Sequence, residues 1–161
     1  MRPFGYALAA CAMLLASGCG GQEELEDEHI PVSGGGQAVE GWMFEVEQSQ
    51  DGSDLNVDMT LTNETSEAGS ITFPSAQHYE LTLTSEEHGE VYRYSEQHMF
   101  AMQIVQLDLE AGETRSFSET IPTDNIESGT YELVVELTAS QVNGQEIGEP
   151  EEFRQTLEVE I

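Results

Sequence analysis

A chain of 161 residues with 32 acidic side chains, four arginines and no lysine carries a formal charge of −28. That balance excludes a polybasic nucleic-acid site and attachment to anionic lipid by charge. The length allows one domain with a real core, and two cysteines, Cys11 and Cys19, supply no disulfide framework for it.

The N-terminus, Met1-Arg2-Pro3 followed by an apolar run from Phe4 to Ala16, is expected to be a signal peptide over residues 1–18. The run is well short of the ~20 residues that span a bilayer as a helix. It ends in Leu15-Ala16-Ser17-Gly18-Cys19, small residues directly before a cysteine, a pattern that resembles a bacterial lipobox with Cys19 as the lipidated residue. The rival Leu8-Ala9-Ala10-Cys11 leaves too few apolar residues upstream and strands a second apolar run in the mature chain. Cleavage before Cys19 removes Arg2 and no acid, leaving 32 acids against three arginines, a net charge of −29 (32 − 3). The expected address is therefore outside the cytoplasm, with the domain held at a cell or outer membrane by a lipid anchor.

Residues 19–39 are expected to form a flexible acidic tether. Gly20 to Ala38 holds five acids within Glu23–Glu28, a proline and a glycine triplet. A flexible linker of that length reaches ~24 Å. So large an acidic excess without lysine fits a saline habitat, because in molar salt the Debye length falls to ~3 Å and carboxylate repulsion is screened.

From residue 40 to 161 the pattern is strand after strand, each with one apolar face. Trp42, Phe44 and Val46 alternate with polar residues; after Asp51-Gly52-Ser53 come Leu55, Val57, Met59 and Leu61. Ile71 and Phe73 precede Pro74. Tyr79–Leu83 and Val91–Tyr94 flank Glu86-Glu87-His88-Gly89 as a hairpin. Val105–Leu109, Phe117–Ile121, Tyr131–Leu137 and, beyond an Asn143-Gly144 turn, Leu157–Ile161 complete the series. The expected fold is all-β, an immunoglobulin-like antiparallel β-sandwich of about 8–9 strands. Trp42 is expected in the core, and the stretch from Gln97 to Leu107 is where a short helix is expected to intrude.

Chemistry-bearing motifs are sparse. There is no Gly-x-Ser-x-Gly, HExxH or P-loop pattern, and no cysteine nucleophile is left after processing. Four histidines (His29, His78, His88, His98) show no metal-ligand spacing, and Asp51–Asp54 reads as a hairpin turn rather than a calcium loop. Asn63-Glu64-Thr65 matches a glycosylation sequon but suits a strand-ending turn. No catalytic residue, metal or cofactor is expected. The candidates for binding are the aromatic and apolar residues Tyr92, Arg93, Tyr94, Met99 and Phe100. On a strand Tyr92 and Tyr94 share one side and Val91 and Arg93 the other. The tyrosines are then either an outward pair for a partner or core. Met99 and Phe100 pose the same choice, and with Met102 they put three large apolar groups in a loop.

The pieces Phe73-x-Ser75-x-Gln77-x-Tyr79, Gly89-x-Val91-Tyr92-Arg93-Tyr94-Ser95, Phe100, Leu109-x-x-Gly112-Glu113 and Gly129-x-Tyr131 resemble the BsuPI-type intracellular proteinase inhibitors. The resemblance covers about Leu55 to Leu137. It implies an immunoglobulin-like sandwich and inhibition of subtilisin-like serine proteases. With the export signal, the implied target is a serine protease of the cell envelope or exterior. The alternative is an accessory module that binds another envelope protein and inhibits nothing. Neither reading involves nucleic acid.

Overall fold

The computed structural model describes residues 32–33, 37–39, 41–148 and 150–161. The expected signal peptide, Cys19 and most of the tether lie outside the described residues. Among the described residues no helix is long and apolar enough to cross a membrane.

The strands in chain order are β1 (Val32–Ser33), β2 (Gln37–Val39), β3 (Trp42–Asp51), β4 (Asp54–Asn63), β5 (Gly69–Phe73), β6 (Tyr79–Ser85), β7 (Gly89–Arg93), β8 (Val105–Leu109), β9 (Thr114–Pro122), β10 (Thr130–Leu137), β11 (Gln141–Val142), β12 (Gln145–Glu146) and β13 (Arg154–Glu160). A single helical turn, α1 (Tyr94–Gln97), and a 3-10 turn at Pro150–Phe153 are the other elements. Every pairing is antiparallel, so the expected all-β sandwich is what the chain forms.

One layer is ordered β1-β3-β4-β9, with β2 also on β3. Residues 32–33 and 37–39, inside the stretch expected as tether, thus lie along the first long strand. The opposite layer consists of two four-stranded sheets, β13-β10-β6-β7 and β12-β11-β5-β8. They continue one another, because residues 130–142 pair first with β6 and then with β5, joined by Thr138 N–H to His78 O and Ser140 N–H to Thr72 O.

Alternation sets which side chains meet between the layers. Trp42, Phe44 and Val46 from β3 and Leu55, Val57, Met59 and Leu61 from β4 are fully buried. Facing them are Leu81, Leu83, Tyr131, Leu133, Val135, Leu157 and Val159. Gln155 donates from β13 to Phe44 O across the layers at 3.2 Å. Trp42 is core as expected, and Gly69 makes room for it, since a Cβ there would lie 2.8 Å from the indole. The Asn143-Gly144 hairpin has φ of 51° and 76°, the left-handed pair that a tight two-residue β-turn requires.

The expected helix is displaced. It occupies Tyr94–Gln97 and reaches the expected window only at Gln97. A bulge shifts the β6–β7 register between Leu83 and Thr84, pairing resumes at Leu83–Tyr92 and Thr82–Arg93, and β7 stops at Arg93. The Glu80 carboxylate then accepts the Ser95 N–H at 3.0 Å, satisfying one of the first-turn donors left open at a helix start. Tyr94 is consequently a helical residue, and the strand rule that paired it with Tyr92 does not apply to it.

Candidate functional site

The expected site residues converge on one region, where the edge made by β7 and β8 is interrupted. β6 and β5 lie end to end along residues 130–142, so their outer partners β7 and β8 do likewise. The chain bridging the gap is α1 followed by residues 98–104. Behind it stands an aromatic cluster. The Tyr79 ring lies 4.7 Å from Tyr94 and 5.8 Å from Phe117 of β9, and His78 lies 4.8 Å from Phe73.

Burial governs the titration of this cluster. Tyr79 donates its hydroxyl to Glu119 at 3.3 Å, and burial, then Tyr94 and Glu119, push its phenol far above the usual range. Tyr92 is pushed up to about 12, first by burial and then by Glu119, Tyr94 and Glu80. His78 is held below its ordinary value by burial and by the Arg115 charge. Glu119 and Arg115 project on the inward side of β9 at the rim of the sandwich, opposite Val57 and Leu61 in register. Inward-pointing charges of this kind discourage edge-to-edge pairing of an end strand.

Of the five candidate residues, Tyr94 is buried against Tyr79, and Tyr92 is half-buried. Both belong to the cluster rather than to an exposed aromatic pair. Arg93 is half-buried and ion-paired with Glu90 three residues before it. Phe100 is half-buried, its ring 5.5 Å from Tyr94. Met99 is the exception, fully exposed at 100%.

Sequence reasoning singled out Met102 as a large apolar group in the loop but left it out of the site, and it missed Ile104. They are 89% and 77% exposed. The available signal was the density of large apolar residues from Met99 to Ile104 without strand or helix period. Residues 98–104 contain no helix, turn or bend and lead into β8. The segment is held at definite points. His98 Nδ1–H donates to Tyr94 O at 3.1 Å, its ring 4.3 Å from the tyrosine; Ala76 N–H donates to Ala101 O at 3.0 Å. What results is an outward segment with three exposed apolar side chains, set on a packed aromatic base.

Other motifs find structural roles. Asp51 and Asp54 pair at the tip of the β3–β4 hairpin. Asn63 of the sequon is fully buried, its amide donating to Glu67 O and Leu109 O while its oxygen accepts from Thr65 N–H and Oγ1. An amide so engaged is unavailable to a glycan. His88 lies 3.5 Å from Glu127, and no group of three or more His, Cys, Asp or Glu among the described residues is placed to hold a metal.

A family model described as "BsuPI: Intracellular proteinase inhibitor" matches residues 42–142. The chain belongs to the BsuPI family. The match extends beyond the 55–137 stretch in which the sequence resemblance was read and takes in the aromatic cluster and the 98–104 segment. The family description is that of an inhibitor, a non-catalytic role, with a protease as the general partner. No curated protein matches the chain. Among solved structures, β-glucosidase 3B from Thermotoga neapolitana in complex with α-D-glucose is similar at 16% identity and a TM-score of 0.37. That match covers 74% of this chain and 16% of the glucosidase.

Proposed function

We propose that this BsuPI domain is exported, anchored through a lipid on Cys19, and inhibits a subtilisin-like serine protease of the cell envelope or exterior. The observation that supports the inhibitor reading is the 98–104 segment, seven residues without helix or turn that leave Met99, Met102 and Ile104 exposed. A segment free of such structure suits addition as a strand beside the substrate-binding edge of a protease, where main-chain hydrogen bonds give affinity and side-chain pockets give specificity. The acidic shell contributes little steering in high salt, so the apolar side chains carry the binding.

The test is titration of a subtilisin-type protease with the purified chain in molar salt, together with fractionation of cells carrying the wild-type or Cys19→Ser chain. Inhibition at or below ~1 μM, about −8 kcal/mol of binding, is expected. The Cys19→Ser chain is expected to leave the membrane fraction. Cleavage of the domain as an ordinary substrate, without inhibition, would remove the inhibitor reading in favour of an envelope docking module.

A further inference from the structure

We infer that Met99 is the side chain that enters the primary specificity pocket of the partner protease, and that this pocket is deep and apolar. The inference rests on the inhibitor reading above and goes further by assigning the anchor and the pocket chemistry. Three observations select Met99. It is the most exposed of the large apolar residues, at 100% against 89% for Met102 and 77% for Ile104. Both its neighbours are held on the body of the domain, His98 by the Tyr94 carbonyl and ring and Phe100 by the Tyr94 ring at 5.5 Å. The next residue, Ala101, is fixed through its carbonyl to Ala76.

An outward side chain bracketed by immobilised neighbours loses little further backbone freedom when it docks, and such preorganisation raises affinity without new contacts. Met102 and Ile104 lie beyond the last of these fixed points, before pairing resumes at Val105 with Phe73. Each has a fixed residue on one side only, Ala101 or Val105, so docking costs more backbone freedom there than at Met99.

The pocket follows from the side chain. Methionine is unbranched, with three rotatable bonds and a polarisable thioether, and adapts to deep apolar cavities. A pocket with a carboxylate at its base would have that charge buried without a partner.

The test uses the full chain, wild type, Met99→Leu, Met99→Lys and Met102→Lys, titrated in molar salt into a subtilisin-type protease and into trypsin. Met99 is fully exposed, so folding is untouched and circular dichroism confirms it. Wild type is expected to inhibit the subtilisin-type enzyme in preference to trypsin, and Met99→Leu to stay within about 10-fold of it. Met99→Lys is expected to weaken that inhibition by about 30-fold or more, the size of a hot-spot loss. Met102→Lys is expected to change it by less than about 5-fold, as for residues around a hot spot. Retained potency in Met99→Lys, or the larger loss in Met102→Lys, would overturn the assignment of Met99 while the inhibitor reading stands. Stronger inhibition of trypsin by wild type would overturn the apolar pocket. Inhibition of neither enzyme by wild type would sink both the assignment and the reading beneath it.

Discussion

Replacing Asn63 by alanine removes the amide that joins three parts of the fold at the end of β4. The side chain is fully buried and makes four hydrogen bonds, two donated to the Glu67 and Leu109 carbonyls and two accepted from Thr65. Its backbone holds the neighbouring 110–113 turn, accepting from Gly112 N–H at 2.7 Å and donating to Glu113 O at 3.0 Å. The two bonds to carbonyls contribute about 1 kcal/mol each, and the Thr65 contacts, closer to water, together about 0.5–1 kcal/mol. Leaving the Leu109 carbonyl short of a donor in a buried site costs about 1–2 kcal/mol more. The sum is about 3.5–5 kcal/mol, a large part of the ~5–15 kcal/mol that holds a domain together. For a domain of this size that corresponds to a fall in Tm of ~10–20 °C. Thermal and urea melts followed by circular dichroism in molar salt measure it. Asn63→Asp preserves the shape but sets a carboxylate against two carbonyls, and is expected to be at least as destabilising at neutral pH. A loss below about 1 kcal/mol for Asn63→Ala would refute the assignment of Asn63 as a structural tie.

Two further outcomes are expected. Tyr79 and Tyr92 both have phenols raised above their ordinary value, Tyr92 to about 12. A raised phenol leaves stability unchanged while both states are protonated; as the unfolded tyrosines ionise near pH ~10, the folded state is progressively disfavoured up to pH 12. Phenolate absorbance titrated with pH should show Tyr79 and Tyr92 ionising late or only with unfolding, and ordinary titration of both would count against the buried cluster. Dialysis from molar to millimolar salt should lower Tm, because the Debye length grows from ~3 Å toward and beyond 10 Å and the carboxylates repel over longer range. An unchanged Tm across that range would contradict the saline-habitat reading.

Period-two alternation made most of the sandwich legible from the chain alone. Leu55, Val57, Met59 and Leu61 are fully buried because every second residue of a strand faces the same layer, and the pattern states this directly. The nine strands of five or more residues are the ones that alternation marks. The candidate site was legible only as a place. The run from Tyr92 to Phe100 identified the region, but strand alternation assigned Tyr92 and Tyr94 a common side. The chain instead turns into α1 after Arg93, where the Glu80 carboxylate accepts the Ser95 N–H. That acceptor stands on another strand, so local pattern does not reveal the turn.

By itself the sequence determined the all-β class, the acid-coated surface and the family, because each follows from residue types and their spacing. Only the tertiary structure decided which apolar residues of the 98–104 segment are covered. Met99 and Phe100 are adjacent large apolar residues, yet one is fully exposed and the other packs on Tyr94. The difference arises from where the Tyr94 ring and the Ala76 amide stand in space, and those positions are set by strands paired across long separations in the chain.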